Sequence, residues 1–264
     1  MKIIVCLKQV PDTAATIQVK PDGSGVETEG ITHVINPYDE FALEEALRIK
    51  ERIGEGEVTV ITIGPLKARE ALRIALAMGA DKGVHLLDPA FEGGDSYVTA
   101  KALARAIHRL PYDLILCGKQ AVDNDASQVG PALAELLGLP QASVITKLKI
   151  GDDRKKAVVH RQVEGASEVL EIPLPAVLTA QKGLNEPRYP SLKGIMGAKK
   201  KEIVELKPSD LGLSPGEVGR AGSKVETLRF FSPPSRVQGR VLEGEPREQV
   251  SQLVKILREE AKVV

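Results

Sequence analysis

The chain has 264 residues, 42% of them apolar and 27% charged, enough to bury one large α/β core or a core with an appendage. Its 36 basic and 36 acidic residues cancel, which excludes a global attraction to nucleic acid or an anionic membrane. Two cysteines outside any CxxC pattern, Cys6 and Cys117, each end an apolar run and read as buried thiols in a reducing compartment. No stretch is apolar enough to span a bilayer and the N-terminus enters a strand directly, so a cytoplasmic location is expected.

Residues 2–7 predict the first strand. Stretches 17–19 and 26–28 flank Pro21-Asp22-Gly23 and predict a small hairpin that interrupts the usual step from strand to helix. Asn36 then suits a helix cap, and Pro37 suits the first helical position, where an amide has no intrahelical acceptor. Phe41, Leu43, Ala46, Leu47 and Ile53 recur at helical spacing, Glu44 and Arg48 form an i,i+4 pair, and Gly54 ends the helix.

The β-branched run 58–63 predicts a strand covered on both faces, followed after Gly64-Pro65 by a helix over 67–78. A third unit has strand 84–87, Asp95 as cap and helix 97–109; a fourth has strand 114–117, the loop GKQAVDND and helix 126–137. Four such alternations imply a parallel sheet whose ligand crevice lies beyond the carboxyl ends of its strands. After Pro140 the pattern shortens to alternating runs at 143–150, 157–163 and 168–172, an antiparallel meander. Strands are also expected at 202–206 and 225–231, and an amphipathic helix at 246–261 with Val250, Leu253, Val254 and Leu257 on one face.

The chemistry is sparse. His33, His85, His108 and His160 have no partners at metal-ligand spacing, and there is no serine elbow, paired acid and base, or Walker loop. One stretch reads as binding: Gly118, Lys119 and Gln120 leave the fourth strand and lead through Asp123, Asn124 and Asp125 to Ala126, Ser127, Gln128 and Val129. Here the free amides and positive end of a helix favour a phosphate. Asp123 and Asp125 oppose an anion at that place. Asp125 as a helix cap, with the amides of Ala126 to Val129 on the phosphate, accommodates both; a purely structural capped turn is the other reading.

The stretch 175–201, PAVLTAQKGLNEPRYPSLKGIMGAKKK, begins as a short apolar strand over 176–178 and then enters a segment holding Gly183, Pro187, Pro190 and Gly194, too interrupted to propagate a helix or join a sheet interior. It is expected to be a surface loop. Leu184, Tyr189, Leu192, Ile195 and Met196 load it with apolar groups beside Lys199, Lys200 and Lys201, the composition of a docking surface.

The phrase LNEPRYPSLKGIMGAKKK, with VHRQVEG, NPYDEFALEEAL and GKQAVDNDASQVGP before it, resembles the beta subunit of electron transfer flavoproteins, in the same order over nearly the whole chain. That resemblance implies a Rossmann-like α/β nucleotide-binding domain of the adenine-nucleotide type over 1–225. An antiparallel extension, a docking loop at 183–201 and a C-terminal arm and helix at 226–264 complete it. It implies AMP bound at Cys6, Asn36, Pro37, Tyr38, Asp39, Ile63 and 118–129, with FAD held mainly by an alpha subunit. Acyl-CoA dehydrogenases or similar flavoenzymes would be gripped by Leu192 and the lysine run, and electrons passed on to a quinone reductase.

Three departures stand out. Val129 occupies a place where AMP-type members often have threonine; DNDASQVGP leans toward the DGDTAQVGP of flavin-bifurcating relatives, which hold a second FAD instead of AMP; and Gln162 replaces an acidic residue of some relatives. A rival of another class, an ATP-using ligase or synthetase, rests on Gly93-Gly94-Asp95-Ser96, similar to a pyrophosphatase loop without its leading serine.

Overall fold

The computed structural model describes residues 1–234 and 239–264, which form two compact units. One comprises Met1–Ile17 with Glu27–Leu228, the other Gln18–Val26 with Arg229–Val264.

In the larger unit, β1 (Lys2–Cys6), the pair β2 (Gln9–Pro11) and β3 (His33–Ile35), and α1 (Pro37–Ile53) come first. They are followed by β4 (Glu57–Ile63), α2 (Arg69–Met78), β5 (Lys82–Leu86), α3 (Ser96–Ile107), β6 (Leu114–Gly118) and α4 (Val129–Leu137). Then come β7 (Gln141–Ile150), β8 (Lys156–Val163), β9 (Ala166–Pro173), β10 (Val177–Ala180), α5 (Leu192–Ala198) and β11 (Ile203–Leu206). Nine strands form one sheet in the order β11-β5-β4-β1-β6-β10-β7-β8-β9. It is parallel from β11 to β7, while β7, β8 and β9 pair antiparallel and so extend the same sheet. The small sheet of β2 and β3 is antiparallel. This is the parallel α/β sheet expected from the alternating pattern, with the Rossmann-like architecture that the resemblance implies.

Period-two alternation sorts the strand side chains onto two cores. Ile3, Val5, Val58 and Val60 pack with Leu43, Leu47, Leu72 and Leu76 of α1 and α2. Ile4, Ile61, Val84, Leu86 and Ile115 pack on the opposite face with Leu103, Ile107 and Leu133 of α3 and α4. Asp95 caps α3 as the sequence predicts, accepting from the Val98 amide at 3.0 Å.

Several local expectations change. Residues 225–231 form no strand, and Val225 and Leu228 are exposed with no sheet neighbour to pair with. In the smaller unit the hairpin at 17–28 reduces to one bridge between Val19 and Val26, and the Phe230 amide donates to the Gly23 carbonyl at 2.9 Å. The last helix is α-helical over Pro246–Lys255 and ends in a π-helical turn, Ile256–Glu260.

Candidate functional site

The chain runs from β1 out to β4 and β5, then returns to the other side of β1 at β6, so strand order reverses between β1 and β6. At such a reversal the connections leave in opposite directions and open a crevice at the carboxyl ends. Lys8 after β1, residues 36–39 at the start of α1, and loop 119–128 after β6 meet there.

Asp39 is the pivot. Its buried carboxylate accepts from the Lys8 amide at 2.7 Å through Oδ2 and from the Gly118 amide at 2.9 Å through Oδ1, joining the ends of β1 and β6. A Cβ at Gly118 would overlap Asp39 Oδ1 and lie 2.7 Å from the Tyr38 carbonyl carbon, so only glycine allows this approach. Burial pushes the Asp39 carboxyl from 3.8 up to about 7, opposed by the hydrogen bonds it accepts and by Lys8.

Between those two values the folded chain keeps a proton that the unfolded chain has released. Stability from this group is therefore full below about 4 and lost as pH rises through about 7, by about 4 kcal/mol. In urea unfolding, the stability of the native protein minus that of Asp39→Asn should fall by a few kcal/mol between pH 4.5 and 7.5. A flat difference would refute the burial cost.

The sequence predicts Asn36 as a side-chain cap of α1, but the structure gives it another task. Fully buried, it donates from Nδ2 to the Gln120 carbonyl at 2.8 Å and accepts at Oδ1 from the Val122 amide at 3.1 Å, with no capping bond to α1. Backbone groups of a loop crossing the crevice need partners, and Asn36 offers one of each kind. Pro37 opens α1 as expected, and the Tyr38 ring lies 5.0 Å below the Lys119 ammonium, a cation–π distance.

Helix α4 begins at Val129, three residues later than the pattern predicts, because Asp125 (φ 48°) and Ser127 (φ 54°) are left-handed and cannot extend it. Asp125 is not its cap. The Gln120 side-chain amide donates to the Asp125 carboxylate, and Ser127 Oγ donates to Gln120 Oε1 at 3.0 Å. Lys8 Nζ donates to both Asp123 oxygens at 2.8 and 2.6 Å. Asp123 is thus paired with a cation, whereas the exposed Asp125 is held by a neutral amide and keeps its charge. The left-handed Ser127 followed by the right-handed Gln128 makes a concavity lined by successive amides, next to the free amides at the start of α4. Such a cradle suits a phosphate. Non-glycine residues in this conformation cost of order 1 kcal/mol or more each, strain of the kind concentrated at ligand-binding loops.

Cys6 at the end of β1 and Cys117, one residue before the end of β6, touch each other, both buried and free. The Cys6 contact and burial push the Cys117 thiol up, away from the reactive thiolate. Ile63 ends β4, partly buried against the second core, on the same edge of the sheet.

The second group of candidate residues sits elsewhere. Ser191 Oγ accepts from the Gly194 amide at 3.0 Å and caps α5, so the expected loop contains a short helix. Tyr189 is 94% exposed, Leu192 82% and Met196 67%; Ile195, Lys199 and Lys200 are also exposed. Lys201 turns inward and donates to the carbonyls of Leu76 at 2.9 Å and Ala80 at 2.6 Å, so only the first two lysines offer free charge. Among residues that sequence patterns missed are Lys8, which joins crevice to loop, and Arg188. Glu44, paired by spacing with Arg48, bonds Arg188 instead.

A family model described as electron transfer flavoprotein domain matches residues 24–211. The chain is 45% identical over 258 residues to an electron transfer flavoprotein subunit beta of Thermoanaerobacterium thermosaccharolyticum, covering 97% of this chain and 98% of that one. It is 42% identical over 265 residues to the subunit of that name in Bacillus subtilis, covering all of both chains. With the caffeyl-CoA reductase-Etf complex subunit CarD of Acetobacterium woodii it shares 43% over 261 residues, 98% of each.

Proposed function

The chain belongs to the electron transfer flavoprotein family as a beta subunit, and from that premise we propose that it is the scaffold half of a heterodimeric electron carrier. Its alpha partner holds the redox FAD. This chain supplies a wall beside the flavin, a structural AMP in the crevice between β1 and β6, and a docking segment for acyl-CoA dehydrogenases or similar flavoenzymes. A quinone reductase takes the electrons. The carrier works in the cytoplasm, and this subunit performs no bond-breaking chemistry of its own. Among the described residues no helix is long and apolar enough to cross a membrane.

The observation that carries the docking reading is Leu192, a large apolar side chain held 82% exposed at the head of α5 beside two free lysines. An exposed leucine on a capped, packed element gains by entering an apolar pocket, and the lysines favour an acidic rim around it. The AMP reading is supported by the amide concavity at Ser127 and Gln128 and by the pairing of Asp123 with Lys8.

A second reading puts another FAD in the same crevice, as in flavin-bifurcating relatives; the phrase DNDASQVGP and Val129 in place of threonine favour it. Denaturing the purified heterodimer and weighing the released nucleotides separates the two. One FAD and one AMP are expected. Two FAD would establish the second reading, and a single FAD alone would remove the crevice from both. Incubation with ATP should release no pyrophosphate; release would restore the synthetase rival.

A further inference from the structure

Besides Asp39 near its start, helix α1 buries two more carboxylates, Glu44 and Glu45, among alanine, leucine and isoleucine. A carboxylate taken out of water needs partners of its own. Apart from Arg52 of the same helix, 3.8 Å from Glu45, those partners come from the docking segment, about 140 positions further along the chain. Glu44 Oε2 accepts from the Arg188 amide at 3.1 Å and from its Nε at 2.8 Å, while Oε1 accepts from Nη2 at 3.0 Å. The same guanidinium reaches Glu51 through Nη1 and through Nη2 at 3.0 Å. Asn185 Nδ2 donates to the Phe41 carbonyl at 3.0 Å and to Glu45 Oε2 at 3.1 Å.

The far end of the segment is fastened as well. Arg73 Nη1 of α2 donates to the carbonyls of Ala198 at 2.6 Å and Lys201 at 3.0 Å, and Lys201 returns the contact onto the end of α2. Between them, Gly194 lies so close to α2 that a Cβ would overlap the Ala77 carbonyl oxygen. The exposed residues thus sit on a short span tied down at both ends.

We propose that Glu44 and Glu51, acting through Arg188, are positioning residues for partner docking: they fix the direction in which the chain enters α5 and hence where Leu192 is presented. This rests on the docking reading above. Three donors of one planar guanidinium shared between two carboxylates and a backbone amide on the same carboxylate define an orientation that a single ion pair would not. The paired charges serve geometry, and the apolar contact is made by the residues they aim.

The test uses the intact heterodimer and a purified acyl-CoA dehydrogenase with its acyl-CoA as donor. Glu51→Gln, at a half-exposed site that does not endanger folding, and Arg188→Lys, which keeps the charge but not the fork, are compared with Glu44→Gln and Leu192→Ala. The positioning variants should raise the KM for the carrier about 5- to 10-fold, leave the rate at saturation and the nucleotide content unchanged, and speed trypsin cleavage after Lys193 several-fold. If Leu192→Ala raises KM while the positioning variants change neither KM nor cleavage, positioning is overturned and docking stands. If Leu192→Ala leaves KM unchanged, the docking reading falls and this proposal with it.

Discussion

Gly118→Ala is expected to empty the crevice of nucleotide and to destabilise the chain by about 2–6 kcal/mol. The added Cβ meets Asp39 Oδ1 and the backbone of Tyr38, at a helix start where Asn36 and Asp39 are buried and hydrogen-bonded in place. Forcing them apart carries an overpacking cost of about 1–3 kcal/mol, and stretching the 2.9 Å bond from the Gly118 amide leaves a buried carboxylate short of a donor, about 1–3 kcal/mol more. The same displacement moves residues 36–39 relative to loop 119–128, so the bonds from Asn36 to Gln120 and Val122 cannot persist. Urea unfolding reads the first effect, and mass analysis of released nucleotide the second. Gly197→Ala is the control, because a Cβ there meets open space and should disturb neither. Full nucleotide content in a folded Gly118→Ala protein would show that the ligand lies elsewhere.

Leu192→Ala should lower the efficiency of reduction by the donor flavoenzyme about 30- to 100-fold while leaving the fold intact. A leucine entering an apolar pocket buries roughly 100–150 Å², worth about 2–3 kcal/mol before entropy losses, and each 1.4 kcal/mol is about tenfold in affinity. In the free protein this side chain is 82% exposed, so its loss should change stability by less than about 0.5 kcal/mol. The two large predictions are independent: one removes nucleotide, the other removes docking. Helix α1 nevertheless touches both places, reaching the ends of β1 and β6 and the loop after β6 with Asn36 and Asp39 near its first turn and Arg188 of the segment before α5 with Glu44 and Glu51 further along. Exposed ion pairs contribute little to stability, and the half-exposed Arg188 pair with Glu51 is best understood as geometric.

Local patterns carried the repeating units because they depend on neighbours in sequence. Helical spacing in α1, the β-branched run of β4, the Asp95 cap and the alternation in β7 to β9 all correspond to elements seen. The crevice was placed at the strand ends by topology, which requires only element order. Where local patterns went astray, a distant group had taken over. Asn36 has the chemistry of a cap, but loop backbone at Gln120 and Val122 competes for it. Helix spacing extends α4 back to Ala126, but the left-handed Asp125 and Ser127 stop it. Glu44 has a local partner in Arg48 at helical distance, yet Arg188 binds it with three donors.

By itself, then, the sequence determined the strand-to-helix rhythm of the parallel sheet and the antiparallel runs that follow it, and it showed which loop residues are apolar. Only the tertiary structure decided that Asp39 and Asn36 join the ends of β1 and β6 to the loop, that Asp123 pairs with the Lys8 ammonium while Asp125 is hydrogen-bonded by Gln120, and that Lys201 is turned inward. The reason is one of range. Periodicity and capping are set within a few residues, whereas the partner of a buried polar group is whichever complementary group the fold brings within about 3 Å, and that can lie anywhere along the chain.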